Sequence, residues 1–275
     1  MKARVKDILD GLNALAPFRL AEPWDNVGLL VGDPELEVTA VLAGLDPTIA
    51  LIDEAIALGA NTVITHHPVI FKPLAAIDTG APSGRLLEKA LTNRVAIIGC
   101  HTNYDNTADG VSAVLARQLG LANLEPLVPS GEGGIGLGRI GTFPTPLSAD
   151  DFLARVLDLL GLDSVQMAGS LPDRITTVAV CGGSGSEFAE QARRLGAQVY
   201  LSAEIKHNIA VWAGETGFCI IDGTHYATEK PAIGVLVAQL EQIGLEKNWN
   251  LKVMQTKAEH HPFVAVHNTK SKVIR

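Results

Sequence analysis

The sequence lacks the features that mark several classes of protein. It has only 3 cysteines in 275 residues and no CxxC pair, so a disulfide framework is not indicated. Cys100, Cys181 and Cys219 each lie in or after an apolar run, which favours buried, reduced thiols. No apolar run approaches the roughly 20 residues that cross a bilayer, and the first residues contain no apolar signal region. We therefore expect a cytoplasmic protein that does not enter a membrane.

A basic surface is also missing. The chain carries 22 Lys and Arg against 30 Asp and Glu, a formal net charge of −8, which disfavours a nucleic-acid partner. Internal repeats and low-complexity linkers are absent from the sequence. With 47% hydrophobic residues, the chain has the composition of a folded protein with a large core.

What is present is an alternation of short apolar runs and amphipathic segments. Predicted strands cover residues 38–45, 61–65, 95–99, 176–181, 198–201, 218–221 and 251–255, and predicted helices cover 48–58, 84–91, 110–119, 148–160, 187–195 and 226–243. Buried strands between amphipathic helices are typical of parallel sheets that helices cover on both faces.

The texture of the sequence changes between residues 125 and 145, which are rich in Pro and Gly. Such a stretch indicates a crossing between two lobes. We therefore predict an α/β protein of two lobes, with mostly parallel sheets flanked by helices. The first lobe covers residues 1–125 and the second covers 126–250, with a last helix that can pack back on the first lobe. Residues 251–275 form a C-terminal tail.

Four of the eight histidines follow predicted strands: His66, His67, His101 and His225. The carboxyl ends of parallel strands are where open α/β sheets bind ligands. Adjacent side chains that leave a strand point in opposite directions, so His66 and His67 suit two neighbouring metal ions better than one. The alternative for an isolated pair is one buried and one exposed imidazole.

Two carboxylates accompany these histidines. In CHTNYDN, Asp105 is a hard oxygen ligand, and His101 either ligates or orients a ligand; the alternative is a turn whose polar side chains satisfy local backbone groups. In DGTHYATE, His225 and Glu229 are four residues apart at the start of a predicted helix and share one face. The alternative there is a helix capped by Thr224 with a solvated Glu229. Together the motifs predict two divalent metal ions, with zinc, manganese or iron suited to imidazole and carboxylate ligands.

Substrate-binding candidates lie in two loops. Residues 181–188 (CGGSGSEF) follow a strand and open a helix. Backbone N–H groups at Gly182, Gly183 and Ser184 could therefore cradle a phosphate, or the turn could serve packing only. Trp24, Asp25 and Asn26 could wall a substrate pocket, although a structural loop is the favoured role of PWDN.

Catalytic candidates follow two strands. Glu204 and His207, in SAEIKHN, are candidates for acid–base catalysis or substrate contact. His207 is the better proton carrier at neutral pH, because an imidazole titrates there. His101 is the third catalytic candidate.

These strings resemble the NIF3-like family, also called the dinuclear metal centre or GTP cyclohydrolase I type 2 homologue family. The resemblance runs from PWDNVGLLVGDP through ITHHPVIF and CHTNYDN to DGTHYATE, and covers the chain to about residue 243. It implies that the metal ligands are His66, His67, Asp105, His225 and Glu229. It also implies that Glu229 bridges the two ions, with Asp105 joining one histidine and His225 the other.

The resemblance implies a function and an assembly as well. Family members are homohexameric rings of two-lobed subunits, and the family name implies hydrolysis of a nucleotide or pterin-like compound. A metal-handling or metal-insertion protein, or a ring-shaped regulatory protein without turnover, are the alternatives. This chain has no room for the extra domain that some members insert between the lobes. The resemblance does not extend to the tail, residues 251–275, and we expect His260, His261 and His267 to be surface residues.

Overall fold

A computed structural model describes residues 2–131 and 133–264. The strands are β1 (Gly28–Val31), β2 (Val41–Gly44), β3 (Thr62–Thr65), β4 (Ala96–Gly99), β5 (Ala122–Pro129), β6 (Gly136–Ser148), β7 (Gln166–Ala168), β8 (Arg174–Ser184), β9 (Val199–Ala203), β10 (Cys219–Asp222) and β11 (Val253–Gln255). The helices are α1 (Val5–Leu15), α2 (Ile49–Ala57), α3 (Pro82–Thr92), α4 (Thr102–Asn106), α5 (Val111–Leu119), α6 (Ala149–Leu160), α7 (Ala189–Arg194), α8 (His207–Thr216) and α9 (His225–Glu246).

The first sheet has the strand order β1-β4-β3-β2-β11. β4, β3, β2 and β11 run parallel, and β1 is antiparallel to β4. Both faces are apolar because alternate residues of each strand point to opposite sides. Val41 and Ala43 pack in the cluster that contains α1 and α9, whereas Leu42 packs in the cluster that contains α2 and α3. Helices therefore cover both faces, as the near-continuous apolar runs predict.

The second sheet has the order β5-β6-β8-β9-β10-β7. Its central strands β8, β9 and β10 are parallel, but β5 with β6, β6 with β8, and β7 with β10 pair antiparallel. Val180 and Leu201 pack toward α5 and α6, while Tyr200 packs toward α7 and α8. The α/β class with two helix-flanked sheets is confirmed. Parallel pairing predominates in the first sheet, whereas the second is mixed.

The Pro- and Gly-rich stretch 125–145 is not an irregular crossing, and that interpretation was wrong. It contains most of the long antiparallel hairpin of β5 and β6. β5 is an edge strand, where Pro126 and Pro129 can be tolerated because an edge has N–H positions that need no partner. Gly138 adopts φ +63° within β6, a conformation that glycine reaches without steric cost. Pro and Gly here shape a hairpin rather than interrupt the sheet.

The ends of the two sheets are joined by α9. Leu236 and Leu240 of α9 pack with Ile8 and Leu12 of α1 in the first apolar cluster, while Ala227 belongs to a cluster of the second sheet. The predicted strand at 251–255 is confirmed as β11, so this part of the predicted tail lies in the first sheet beside β2. The boundaries at residues 125 and 250 stay predictions. Within the described residues, no helix has the length and apolar character of a membrane span.

Candidate metal centre

Four histidines from both sheets meet at one place. His66 and His67 directly follow β3, and His101 follows β4, so parallel pairing of these strands brings them to one edge. His225 is the first residue of α9, which begins just after β10. The ring centroids of His66 lie 5.1 Å from those of His67 and His101, and those of His67 and His225 are 5.2 Å apart. The strand-exit pattern thus gathers side chains that are distant in sequence.

Two carboxylates lie among these rings. Glu229 Oε2 is 3.1 Å from Nε2 of both His67 and His225, and Glu229 Oε1 is 3.7 Å from His66 Nε2. Asp105 Oδ1 is 3.6 Å from the same His66 nitrogen. Each oxygen of Glu229 therefore faces a different set of imidazoles.

The outer nitrogen of each ring is occupied by an oxygen acceptor. His66 Nδ1 is 2.9 Å from the carbonyl oxygen of Cys100, and since a carbonyl can only accept, Nδ1 must donate. The other three rings pair Nδ1 with a carboxylate: His67 with Asp46 at 2.8 Å, His101 with Asp25 at 2.8 Å, and His225 with Glu204 at 2.9 Å. In neutral rings this arrangement leaves Nε2 unprotonated, with a free lone pair, which is the form that binds metals.

The centre is strongly charged and largely withdrawn from water. Burial alone would lower the pKa of His67, but the carboxylates of Asp46 and Glu229 beside its ring raise it to about 10. Burial would also lower the pKa of His225, but the Glu229 carboxylate more than offsets this effect and raises it to about 9. Burial disfavours the Glu229 anion, yet the surrounding imidazoles hold its pKa well below the usual range, whereas burial raises the pKa of Asp105.

Two buried atoms of the centre test whether a cation fits. His66 Nε2 and Glu229 Oε2 have no hydrogen-bond partner, although Oε2 lies at ion-pair distance from two imidazoles. Such atoms are costly to bury, and a cation beside each of them would satisfy both. His66, His67 and His101 form one group, and His67, His225 and Glu229 another, in which ligand atoms lie within 4.8 Å of one another. These groups could hold a metal ion.

The alternatives weighed for the motifs fit this geometry less well. Glu229 is only 4% exposed, so it is not a solvated helix residue, and Thr224 makes no side-chain capping hydrogen bond. Asn103 and Asn106 donate to the carbonyls of residues 16 and 20. Within the described part of the chain, the Asp105 carboxylate accepts no hydrogen bond from a local backbone group, as a polar turn would require.

A cavity of about 270 Å³ opens beside the centre. Trp24, His101, Gly182 and Ser184 line it together with Glu229. These positions suit substrate contact, and the assignment of Trp24, Gly182, Gly183 and Ser184 to substrate binding stays a prediction.

The N–H groups of the glycine turn already have partners. Gly182 N–H donates to Ser112 Oγ at 3.2 Å, and Gly183 N–H donates to Thr228 Oγ1 at 3.0 Å. A phosphate would have to replace these hydroxyl partners, and the expectation that the two N–H groups cradle one stays a prediction. Gly183 has φ +68°, and a Cβ there would overlap Glu229 Oε1, so the turn lets the strand approach the carboxylate.

The two acid–base candidates after β9 differ in their surroundings. Glu204 Oε1 bonds the ring of His225, which ties it to the centre. His207 is exposed as the first residue of α8. Among the described residues, its imidazole forms neither a hydrogen bond nor an ion pair. Catalytic roles for Glu204, His207 and His101 stay predictions.

Some residues of the centre escaped the sequence analysis. Asp46, whose carboxylate bonds the ring of His67, lies in the loop just after β2, so the strand-exit pattern could have found it. Asp25 was predicted only to wall the pocket or to belong to a structural loop, yet its carboxylate is fully buried against His101. His261 is half-buried rather than fully exposed, and its Nε2 lies 3.0 Å from Thr224 Oγ1. His260 is exposed as predicted, and the position of His267 lies outside the described residues.

Fold and centre together define a class: a two-sheet α/β protein with a histidine–carboxylate centre that could hold metal at the carboxyl ends of its strands. The chain belongs to the Duf34/NIF3 (NGG1p interacting factor 3) family, whose sequence pattern matches residues 3–262.

Relatives support this membership along nearly the whole chain. A Streptomyces coelicolor protein named GTP cyclohydrolase 1 type 2 homolog is 34% identical over 268 residues, covering 95% of this chain and 94% of its own. A crystal structure of a hypothetical protein from Staphylococcus aureus superposes with a TM-score of 0.90 at 30% identity, covering 96% of this chain and 99% of that one. A Bacillus cereus protein related to NIF3 gives the same TM-score and coverage at 26% identity.

Proposed function

We propose that this protein holds two divalent metal ions and hydrolyses a nucleotide or pterin-like compound. One observation carries the proposal: the Nε2 atoms of His66, His67 and His225 converge on the two oxygens of a buried Glu229 beside an open cavity. The names of relatives, GTP cyclohydrolase 1 type 2 homolog, support hydrolysis as the reaction class.

The residues divide into two pockets that share Glu229. His66, Asp105 and Glu229 Oε1 would hold one cation, and His67, His225 and Glu229 Oε2 would hold the other. Mixed imidazole and carboxylate ligands suit zinc, iron or manganese. Two such cations supply Lewis acidity and a water molecule that ionises near neutral pH.

The chain's own residues would orient the centre and move protons. Asp25 accepts from His101 Nδ1, so the Nε2 of a neutral His101 is free to take a proton from a group in the cavity. Glu204 holds the ring of His225 through Nδ1 in the same way. His101 therefore has the better-supported role as a base, and Glu204 a role in positioning.

The cavity favours a flat heterocyclic ring as the substrate's reacting part. Trp24 and Phe71 are 59% and 43% exposed, and their ring centroids are 5.8 Å apart at its edge. Aromatic faces of this kind stack on planar heterocycles. Among the described residues that line the cavity there is no Lys or Arg. Recognition would therefore rest on the ring, with any phosphate depending on the cations.

The first experiment measures metal per chain by elemental analysis, on protein purified without added metal. We expect about two ions in the parent, as for a two-metal site, and far fewer in the His66→Ala/His225→Ala double variant. His260→Ala is the control, because His260 is exposed. A nucleotide and pterin screen then compares the loaded and metal-free parent.

Each result has a definite meaning for the proposal. Metal-dependent turnover supports it. Bound metal without turnover of any compound favours the metal-handling alternative. If the parent stays free of metal after reconstitution with zinc, manganese and iron, the histidines are structural and the proposal is wrong.

A further inference from the structure

The segment after β11, residues 256–264, which we call the C-terminal segment, is fixed to the first sheet. Thr256 N–H donates to the carbonyl of Ala43 at 2.9 Å. Glu54 of α2 accepts from the backbone N–H groups of Lys257 at 3.1 Å and Ala258 at 3.2 Å, and from the Thr256 hydroxyl. These contacts hold the segment across the loop that follows β2.

Glu259 of this segment connects that loop to α9. Its side chain is 4% exposed. Oε1 accepts from the backbone N–H groups of Leu45 at 2.6 Å and Asp46 at 2.9 Å, while Oε2 pairs with Lys230. A buried carboxylate with charged and backbone partners is held in one position, so Glu259 fixes the backbone of Asp46.

Both partners of Glu259 adjoin the candidate centre. The Asp46 carboxylate bonds Nδ1 of His67 at 2.8 Å, and Lys230 directly follows Glu229 in α9. Displacing the backbone of Asp46 would therefore displace the group that orients the imidazole of His67.

His261 makes a second contact of the same kind. Its Nε2 is 3.0 Å from Thr224 Oγ1, and its ring lies 5.6 Å from that of Tyr226. Thr224 has φ +62°, a strained conformation that needs support from its surroundings, and it directly precedes His225. The C-terminal segment thus supports the neighbours of both His67 and His225.

We propose that the C-terminal segment shapes one of the two metal pockets, that of His67 and His225, with Glu259 as its positioning residue. The imidazole of His66, in the other pocket, is oriented elsewhere, since its Nδ1 bonds the carbonyl of Cys100 next to β4. Loss of Glu259 therefore weakens the binding of one of the two cations selectively. This inference rests on the proposed metal centre but on no assumption about hydrolysis.

The test titrates metal-free protein with Co²⁺ alone, followed by calorimetry and by the visible absorption of the bound ion. In Glu259→Ala we expect one equivalent to bind as in the parent and the other to bind about 10- to 100-fold more weakly, the usual effect of losing an outer-sphere partner. Glu259→Gln keeps an acceptor oxygen for Leu45 and Asp46, so we expect it to lose less affinity for that equivalent. Glu241→Ala, an exposed position on α9, is the control and binds both equivalents normally.

Three outcomes contradict the inference in different ways. Unchanged binding of both equivalents in Glu259→Ala shows that Glu259 does not position the centre. Equal weakening of both, with a lower Tm in both Glu259 variants, makes its role structural only. A parent that binds no Co²⁺ overturns the proposed centre itself. This failure differs from that of the inference alone, in which the parent binds two ions and Glu259→Ala binds them equally well.

Discussion

At the scale of single residues, orientation is built in before any ion binds. Asp46, Asp25 and Glu204 each accept from an imidazole Nδ1, and a backbone carbonyl does so for His66. Fixing the outer nitrogen turns Nε2 toward the centre and removes rotamer freedom that binding would otherwise have to restrict. The metal-binding potential of the histidines thus depends on acceptors that are not themselves candidate ligands.

The Glu229→Gln substitution tests the shared carboxylate. Gln keeps the shape but loses the charge and one of the two acceptor oxygens, so we expect one or both ions to be lost. Elemental analysis of metal per chain measures this, with the exposed Glu241→Gln on the same helix as control. Unaltered metal content in Glu229→Gln would show that Glu229 does not bridge.

The Asp25→Asn substitution tests an outer carboxylate through pH. Burial opposes ionisation of Asp25, but hydrogen bonds from His101 and Thr102 lower its pKa from 3.8 to about 2. A lowered folded-state pKa stabilises the protein above pH 3.8 and ceases to do so as pH falls through about 2. We expect Asp25→Asn to lose up to about 2 kcal/mol of unfolding free energy at pH 7.

Urea denaturation between pH 7 and pH 3 measures the Asp25 effect. The difference between parent and Asp25→Asn should shrink toward the acid end of the range. Asp10→Asn, an exposed substitution on α1, should match the parent throughout. A difference that is constant with pH would mean that Asn is simply a poorer fit.

At the scale of elements, the centre depends on where strands and helices begin and end. His66, His67 and His101 come from the ends of β3 and β4, while the first turn of α9 supplies His225 and Glu229. The end of β8 closes the centre from the second sheet, because Gly183 lies against Glu229 without a side chain between them. Small shifts of one element end therefore move ligands that belong to another.

The Gly183→Ala substitution tests the end of β8. The new Cβ would overlap Glu229 Oε1 and occupy φ +68°, so we expect loss of metal affinity as well as stability. Gly196→Ala is the matched control, since it has φ +87° but no atom within 4 Å of its Cβ. It should lose only about 1–2 kcal/mol of stability from backbone strain, with metal affinity unchanged. Equal metal affinity in both variants would show that Gly183 does not shape the centre.

At the scale of the whole molecule, two sheets share helices that lie between them. Val111 and Val114 of α5 belong to an apolar cluster of the first sheet, while Leu115 and Leu119 belong to one of the second. Ligands from both sheets can thus be held in register.

The predicted homohexamer is a property of this scale. Leu74 and Ile77 are 47% and 55% exposed, and burying such side chains between copies would stabilise a closed ring. Light scattering on a sizing column should give about 174 kDa, six times the 29.0 kDa of one chain. A dilution series is the control for weak association. A mass of one chain at micromolar concentration would contradict the prediction.

Much of the candidate centre could be predicted from local sequence. The strand-exit histidines and the four-residue spacing of His225 and Glu229 are visible without any structure, because periodicity fixes strand ends and helix faces. The acceptors were harder to predict. Asp25 lies 76 residues from His101, and Asp46 lies 21 residues from His67. No local pattern links such pairs, since only the packing of separate elements brings them together.

The sequence by itself determined the kinds of candidate ligand, most strands and helices, and the two-lobed α/β class, because local backbone preference and apolar periodicity act over a few residues. Only the tertiary structure decided that Glu229 is buried among imidazoles and that the stretch 125–145 forms a hairpin. It also placed the C-terminal segment, with Glu259, beside the centre. These features depend on contacts between distant parts of the chain, whose free energy comes from packing and burial that no short stretch of sequence records.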